Sequence, residues 1–418
     1  MESFRFVHAA DLHIDSPFSG IGDVDVRVAN RLREATYEAF QNLVELCLKS
    51  DVDFLVIAGD VYDGADRSVR AQLRFRDGLS RLAYEGIQTF VVHGNHDPIE
   101  DWQSSIAWPE GVHIFGAAPE WKNIEKNGEI VAAVQGMSYP TREVTDNLAL
   151  QFSPPQSGSI FTIGLLHANV GGNSAHPNYA PCTVEDLSAS GIDYWALGHV
   201  HTRQTLKRAA PVIAYPGNIQ GRHPNETGER GALVVDVDPS GASKSEFVPL
   251  DVVRWEHTDV DISNLETIDS LDSAIRQQTD NMSAIAEGRD VVCRVTITGR
   301  GPLHEQLAAD GAVEDLIEAT RNSWTGGSPW VWIDRIVDLT RPAIDIEARA
   351  KQDDFLGATL KRALLSSIES DEIDRLTEVV SDVYSGRRNG LSKPDDEQVS
   401  AWTKEARWYL AELLEQGK

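Results

Sequence analysis

Five short groups of oxygen and imidazole donors recur through the first half of the chain: Asp11 with His13, Asp60, Asn95 with His96, His167, and His199 with His201. None contains a cysteine, so the chemistry they suit is that of a hard or borderline cation such as Mn, Fe or Zn. In Asp11-Leu12-His13 and His199-Val200-His201 the donors stand two residues apart, a spacing that sends both to the same side of an extended segment. Asp60 carries two carboxylate oxygens and is therefore able to serve two cations at once. Asn95 offers an amide oxygen, His96 a proton donor or a further ligand, and Asp97 an acceptor that can fix the His96 tautomer. Taken alone, Gly94-Asn95-His96-Asp97 reads equally well as a surface turn. The recurrence of such groups is what argues for a site.

Each group follows an apolar run that reads as a buried strand, at residues 4–9, 54–58, 88–92, 160–166 and 192–197. Helical spacing at residues 27–49 and 68–85 separates the first three, which argues for a mostly parallel sheet with helices on its faces. Ligands in open α/β sheets bind beyond the carboxyl ends of the strands, which is where these donors fall. Short alternating runs at 202–206, 212–215, 232–237 and 244–248 predict antiparallel strands closing a second sheet. Residues 171–181, rich in Gly, Asn and Pro, read as a long loop beside the site. The expected fold class is α/β, a two-layer β-sandwich flanked by helices.

The ordered set DxH, GD, GNHD, a lone His and GHxH resembles the calcineurin-like metallophosphoesterase superfamily, and within it the DNA-repair exonucleases of the SbcD and YhaO type. The specific support is the stretch from His8 to Phe18, the GDVYD form at residues 59–63, and Tyr215-Pro216-Gly217-Asn218-Ile219-Gln220-Gly221 after the last pair. The resemblance implies the metallophosphoesterase fold over residues 1–250 and two divalent metal ions, Mn foremost, with Fe or Zn as alternatives. It implies one metal on Asp11, His13 and His201, the other on Asn95, His167 and His199, and Asp60 bridging. His96 matches the catalytic histidine, oriented by Asp97. Some nuclease relatives carry a histidine where this chain has Asp63. The expected reaction is phosphodiester hydrolysis by in-line attack of a water activated between the metals, with protonated His96 neutralising the departing alkoxide.

Residues 251–342 alternate helix and strand patterns (265–279, 291–298, 303–319, 330–339) and predict a small α/β cap that is a candidate DNA-binding domain. Residues 323–329 read as loop, and Trp324, Trp330 and Trp332 fit packing better than base stacking. Residues 343–418 read as a helical segment broken at 386–393, whose place matches the docking site for an SMC-like ATPase subunit in similar proteins; packing on the chain's own core or a homodimer is the alternative. DNA is the expected substrate, and a small phosphoester or a phosphoprotein the alternative. Arg203, Arg208, Arg222 and Arg230 cluster after the last histidine pair as candidate phosphate contacts, Arg203 and Arg222 foremost.

A net charge of −27 excludes broad nonspecific attraction to nucleic acid, yet metals in a carboxylate-lined cleft and local arginines can hold phosphate on an acidic molecule. No run reaches the roughly 18 apolar residues that span a bilayer, so no membrane association is expected. The N-terminus lacks the basic start and apolar middle of a signal peptide. Cys47, Cys182 and Cys293 are too few and too scattered for a disulfide framework. Together these point to a cytoplasmic location.

Overall fold

The computed structural model describes residues 2–21, 26–64, 68–101, 106–153, 160–172, 178–323, 329–365 and 395–416. Parts of the expected loops at 171–181 and 323–329, including Trp324, and the stretch 366–394 with its expected break lie outside the described residues. The chain divides into two compact units, residues 1–257, 279–294 and 324–335 in the first and 258–278, 295–323 and 336–418 in the second.

In the first unit, β1 (Phe4–Ala9), α1 (Val26–Lys49), β2 (Phe54–Ala58), α2 (Val69–Tyr84) and β3 (Gln88–Val92) alternate as expected for a parallel sheet, and a short further strand, β4 (Val112–Ile114), follows. β1, β2, β3 and β4 pair in that order, all parallel. β5 (Glu120–Lys126), β6 (Glu129–Met137), β7 (Phe161–His167), α3 (Val184–Ala189), β8 (Tyr194–Gly198), β9 (Gln204–Lys207) and β10 (Val212–Tyr215) follow. They build a second sheet in the order β5-β6-β7-β8-β10-β9. β11 (Gly231–Val237) and β12 (Ser243–Pro249) return to the first sheet, where β11 pairs antiparallel with β1. The expectation that the late short strands all close the second sheet is corrected there: β9 and β10 do, β11 and β12 do not, and β10 runs parallel to β8. Alternation marks a half-buried strand without naming its partner.

The two sheets enclose an apolar layer. Phe6 and Phe54 stack at 5.0 Å, and Tyr194 of the second sheet meets Phe6 edge-on at 5.2 Å. The opposite face of the first sheet packs on α1 and α2 through Phe40, Leu43, Phe75 and Leu79. The second sheet's outer face packs on Leu148, Phe152 and Leu187. Because both faces are covered, β2 and β8 are buried at every position, which is why they read as continuous apolar runs. This is the two-layer sandwich with helices outside.

β13 (Val253–Asp261), β14 (Asp290–Thr298) and β15 (Val331–Asp338) form a third sheet, with α4 (Ile268–Ile285) between the first two strands in sequence. Trp330 and Trp332 pack against a cluster of Val28, Leu32, Val253, Trp255 and Val292, which gives them a packing role. In the second unit the single helix expected at 303–319 is two, α5 (Leu303–Leu307) and α6 (Ala312–Ser323), because the chain turns at Gly311 with φ +81°. α7 (Ile346–Arg349), α8 (Phe355–Leu365) and α9 (Asp396–Gln416) share a small core of Ile346, Leu356, Leu360 and Ala411. The Arg300 guanidinium lies 3.7 Å over the Trp408 ring, and Arg341 pairs with Glu405 on α9. Among the described residues no helix is long and apolar enough to cross a membrane.

Candidate metal centre

The loops that leave β1 and β2 run side by side, tied by Asp11 N–H to Gly59 C=O (3.0 Å), His13 N–H to Asp60 C=O (3.0 Å) and Ile14 N–H to Val61 C=O (2.9 Å). Asp11 (φ 51°), His13 (φ 43°), Asp60 (φ 51°) and His199 (φ 100°) all sit in the left-handed region, at a cost of about 1–3 kcal/mol each that the surrounding packing must offset.

Their side chains converge. His13 Nε2 lies 3.3 Å from His201 Nε2, and His201 Nε2 lies 3.9 Å from an Asp11 carboxylate oxygen. His167 Nε2 lies 3.1 Å from Asn95 Oδ1, which in turn lies 3.1 Å from His199 Nδ1. Asp60 Oδ2 stands between the two sets, 3.3 Å from His167 Nε2 and 4.0 Å from His13 Nε2. Asp11, His13 and His201 offer ligand atoms within 4.8 Å of one another, as do Asp11, Asp60 and His167, and also His13, Asp63 and His96. All are oxygen or nitrogen donors, so the donor set fits divalent cations of intermediate hardness. Gly94 makes room for the cluster: a Cβ there would fall 2.3 Å from Asp60 Oδ1 and 2.8 Å from His167 Nε2.

Electrostatics follow burial and charge. Burial alone would lower the His167 pKa, but the charge and hydrogen bond of Asp60 outweigh it and raise it. Burial pushes the Asp11 carboxyl upward against the pull of His167 and His201. His13 is lowered to about 4 by burial and by the Arg222 charge, so its imidazole is neutral and has a lone pair to donate at neutral pH.

His96 occupies a different position. Its side chain is 35% exposed, against 18% for His201, while His13 and His167 are fully buried, so it is the imidazole that a substrate reaches most readily. Its Nδ1 lies 2.5 Å from Asp63 Oδ1. Burial works against its charged form, but that contact and the negative charge of Asp60 and Asp63 raise its pKa. The expected orientation of His96 by Asp97 is corrected by these contacts. Asp97 is buried in the turn itself, accepting Gly94 N–H at 2.8 Å and Val61 N–H at 2.9 Å and facing His93 Nδ1 at 3.2 Å. Sequence adjacency favoured Asp97, but a backbone donor of its own turn, Gly94, and one of the loop after β2, Val61, take its oxygens.

Two carboxylates stand among these groups without having been singled out as site residues. Asp63 also lies 3.2 Å from His13 Nδ1 and accepts from Arg222 Nη1 at 2.6 Å. Glu226 Oε1 lies 2.6 Å from His201 Nδ1. Of the four arginines, Arg222 is half-buried and occupied by Asp63. Arg203 is exposed, lying 3.8 Å over the Phe247 ring, and Arg208 is exposed. Arg230 is buried and donates to His201 C=O, Asn218 Oδ1 and Thr227 C=O. Those bonds make it a brace of the loop, which removes it from the candidate phosphate contacts.

Comparison with known proteins agrees with this geometry. Residues 4–203 match the calcineurin-like phosphoesterase family, which defines the class: a metal-dependent phosphoesterase with a dinuclear metal centre. Residues 255–341 match the middle domain of metallophosphoesterase YhaO. The chain is 35% identical over 388 residues to metallophosphoesterase YhaO of Bacillus subtilis, covering 92% of this chain and 90% of that protein, and it belongs to the YhaO family. A component of nuclease SbcCD from the same organism is 24% identical over 60% of this chain and 72% of its own length. The DNA double-strand break repair protein Mre11 of Methanopyrus kandleri is 23% identical over 92% and 83% respectively.

Proposed function

We propose that the chain is a nuclease, hydrolysing phosphodiester bonds of DNA in repair, and that the strand-end cluster is its active centre. The observation that carries the reading is the pairing of an accessible His96 with Asp63 directly beside seven converging donors. Asp11, His13 and His201 would hold one cation, Asn95, His167 and His199 the other, and Asp60 both. Two bound divalent cations lower the pKa of a water and stabilise negative charge on the phosphoryl oxygens. Asp63 engages Nδ1 of His96, which leaves Nε2 to give its proton to the departing oxygen. Asp97 holds the turn that presents His96. Arg203, exposed near the last histidine pair, is available for backbone phosphate.

The names of two relatives, a nuclease component and a double-strand break repair protein, favour DNA over a small phosphoester. We further propose Mn as the metal, a cytoplasmic location, and division into a catalytic part at 1–250, a cap at 251–342 and a helical segment at 343–418. An SMC-like ATPase is the proposed partner of that last segment, where α9 exposes Trp402, Tyr409 and Leu413. The deciding assay compares linear duplex DNA, single-stranded DNA and a small phosphodiester with purified full-length protein and Mn. Mn-dependent cleavage of DNA in preference to the small ester supports the reading; cleavage of the small ester alone defeats it.

A further inference from the structure

Beyond the ligands and His96 lies a layer of contacts that joins the two sides of the centre through the loop after β10. Glu226 is almost enclosed, and both of its oxygens are engaged. Oε2 accepts from Arg222 N–H at 2.6 Å and from Asn218 Nδ2 at 3.0 Å. A glutamate is ordinarily ionised at neutral pH and then only accepts, so Oε1 is an acceptor too, and the group it faces at 2.6 Å is His201 Nδ1. The same Arg222 that donates its backbone N–H to Glu226 sends its guanidinium to Asp63, the partner of His96 and His13. His201 is thereby connected to the opposite wall of the centre through two carboxylates and one arginine.

We propose that Glu226 is a positioning residue for metal binding: by taking the Nδ1–H of His201 it fixes the tautomer in which Nε2, the atom facing His13 and Asp11, carries the lone pair. The inference rests on the metal-centre reading of the cluster and adds to it a residue that touches no metal. A histidine free to populate both tautomers would present Nε2–H to the centre for part of the time and would also lose its ring orientation. Carboxylates that hold ligating histidines in this way typically contribute about 10–100-fold to metal affinity. Asn218 and the Arg222 backbone hold the carboxylate itself, so the loop from 218 to 226 serves His201 as a unit.

The test uses the full chain, stripped of metal by chelation and titrated with Mn, with free Mn followed by electron paramagnetic resonance. Wild type should bind, and Glu226→Gln and Glu226→Ala should each weaken one site about 10–100-fold. Binding by both variants within about threefold of wild type, well short of that range, overturns the proposal. No binding by wild type defeats the metal-centre reading and this proposal with it, which separates the two failures. A second measurement does not depend on the Glu226 variants folding: long-range proton–nitrogen spectra of metal-free, histidine-labelled wild type, with His201 assigned by its absence in His201→Gln. The expected signature is Nδ1 protonated and Nε2 bare; an Nε2–H tautomer overturns the proposal.

Discussion

Nδ1 of His96 lies 2.5 Å from Oδ1 of Asp63, and the same oxygen lies 3.2 Å from Nδ1 of His13. One carboxylate oxygen therefore stands beside both the accessible imidazole and a buried candidate ligand. The exposed histidine takes its orientation from the loop after β2 and its location from the turn after β3. Registering those two loops is a task for the sheet, where Ala58 pairs with Val92.

Removing the Asp63 charge should weaken proton donation by His96. In Asp63→Asn, turnover of a phosphodiester is expected to fall about 100-fold, the lower end of what general acid catalysis contributes. Burial disfavours the His96 imidazolium and Asp63 counters it, so losing that charge lowers the His96 pKa. A proton donor must be protonated, and the alkaline limb of the kcat profile should therefore move to lower pH. An unchanged limb would show that Asp63 does not act through His96.

At Gly94 the constraint is space. Gly94→Ala would place a methyl group 2.3 Å from Asp60 Oδ1 and 2.8 Å from two atoms of the His167 ring. The strand end must shift, at a cost of about 1–3 kcal/mol. Metal content by elemental analysis should drop together with the melting temperature. Retention of both would mean that the turn relaxes freely.

Much of this centre is legible in the sequence because a buried parallel strand is a continuous apolar run and the residues at its end are polar for a reason. Runs at 54–58 and 88–92 gave β2 and β3 their bounds without adjustment. The partner of His96 was not legible. Asp63 and Asp97 both bear carboxylates in the right neighbourhood, and only the backbone N–H groups of Gly94 and Val61 decide that Asp97 is used up in the turn. Glu226 was harder still, since a glutamate 25 residues beyond His201 carries no local signal and comes into reach through the fold of its loop. β5 was missed because its sequence, EWKNIEK, is mostly polar at a sheet edge, although Asn127-Gly128 is a hairpin turn signal that joins it to β6.

His8 gives a stability test away from the centre. It is fully buried between the sheets, with Nδ1 3.2 Å from Tyr194 Oη and Nε2 3.1 Å from Leu197 C=O, and burial lowers its pKa to about 3. The unfolded chain, titrating near 6.5, binds this proton first. The contribution of neutral His8 is therefore complete above pH 6.5 and is lost as the pH falls toward 3, by up to about 1.4 kcal/mol per pH unit. Denaturant unfolding of wild type and His8→Gln between pH 7.5 and 4.5 should show the gap shrinking or reversing in acid. Parallel pH dependences would mean that His8 is not the titrating group.

Arg203 and Arg230 should behave oppositely. Arg230→Ala removes a buried donor to two carbonyls and Asn218 and is expected to cost about 2–3 kcal/mol of stability. Arg203→Ala, on an exposed side chain, should leave stability nearly unchanged and flatten the salt dependence of DNA binding by about one charge. A salt slope identical to wild type would make Arg203 ordinary surface charge.

The proposed mechanism depends on buried donors that hold metal and on an accessible His96 that delivers the proton. Metal content alongside DNA cleavage, for His96→Ala loaded with Mn, separates the two roles in one preparation. Two metal ions per chain, as in wild type, with turnover lower by about 100-fold or more, is the expected result. Loss of metal from the variant, or turnover close to wild type, would contradict it.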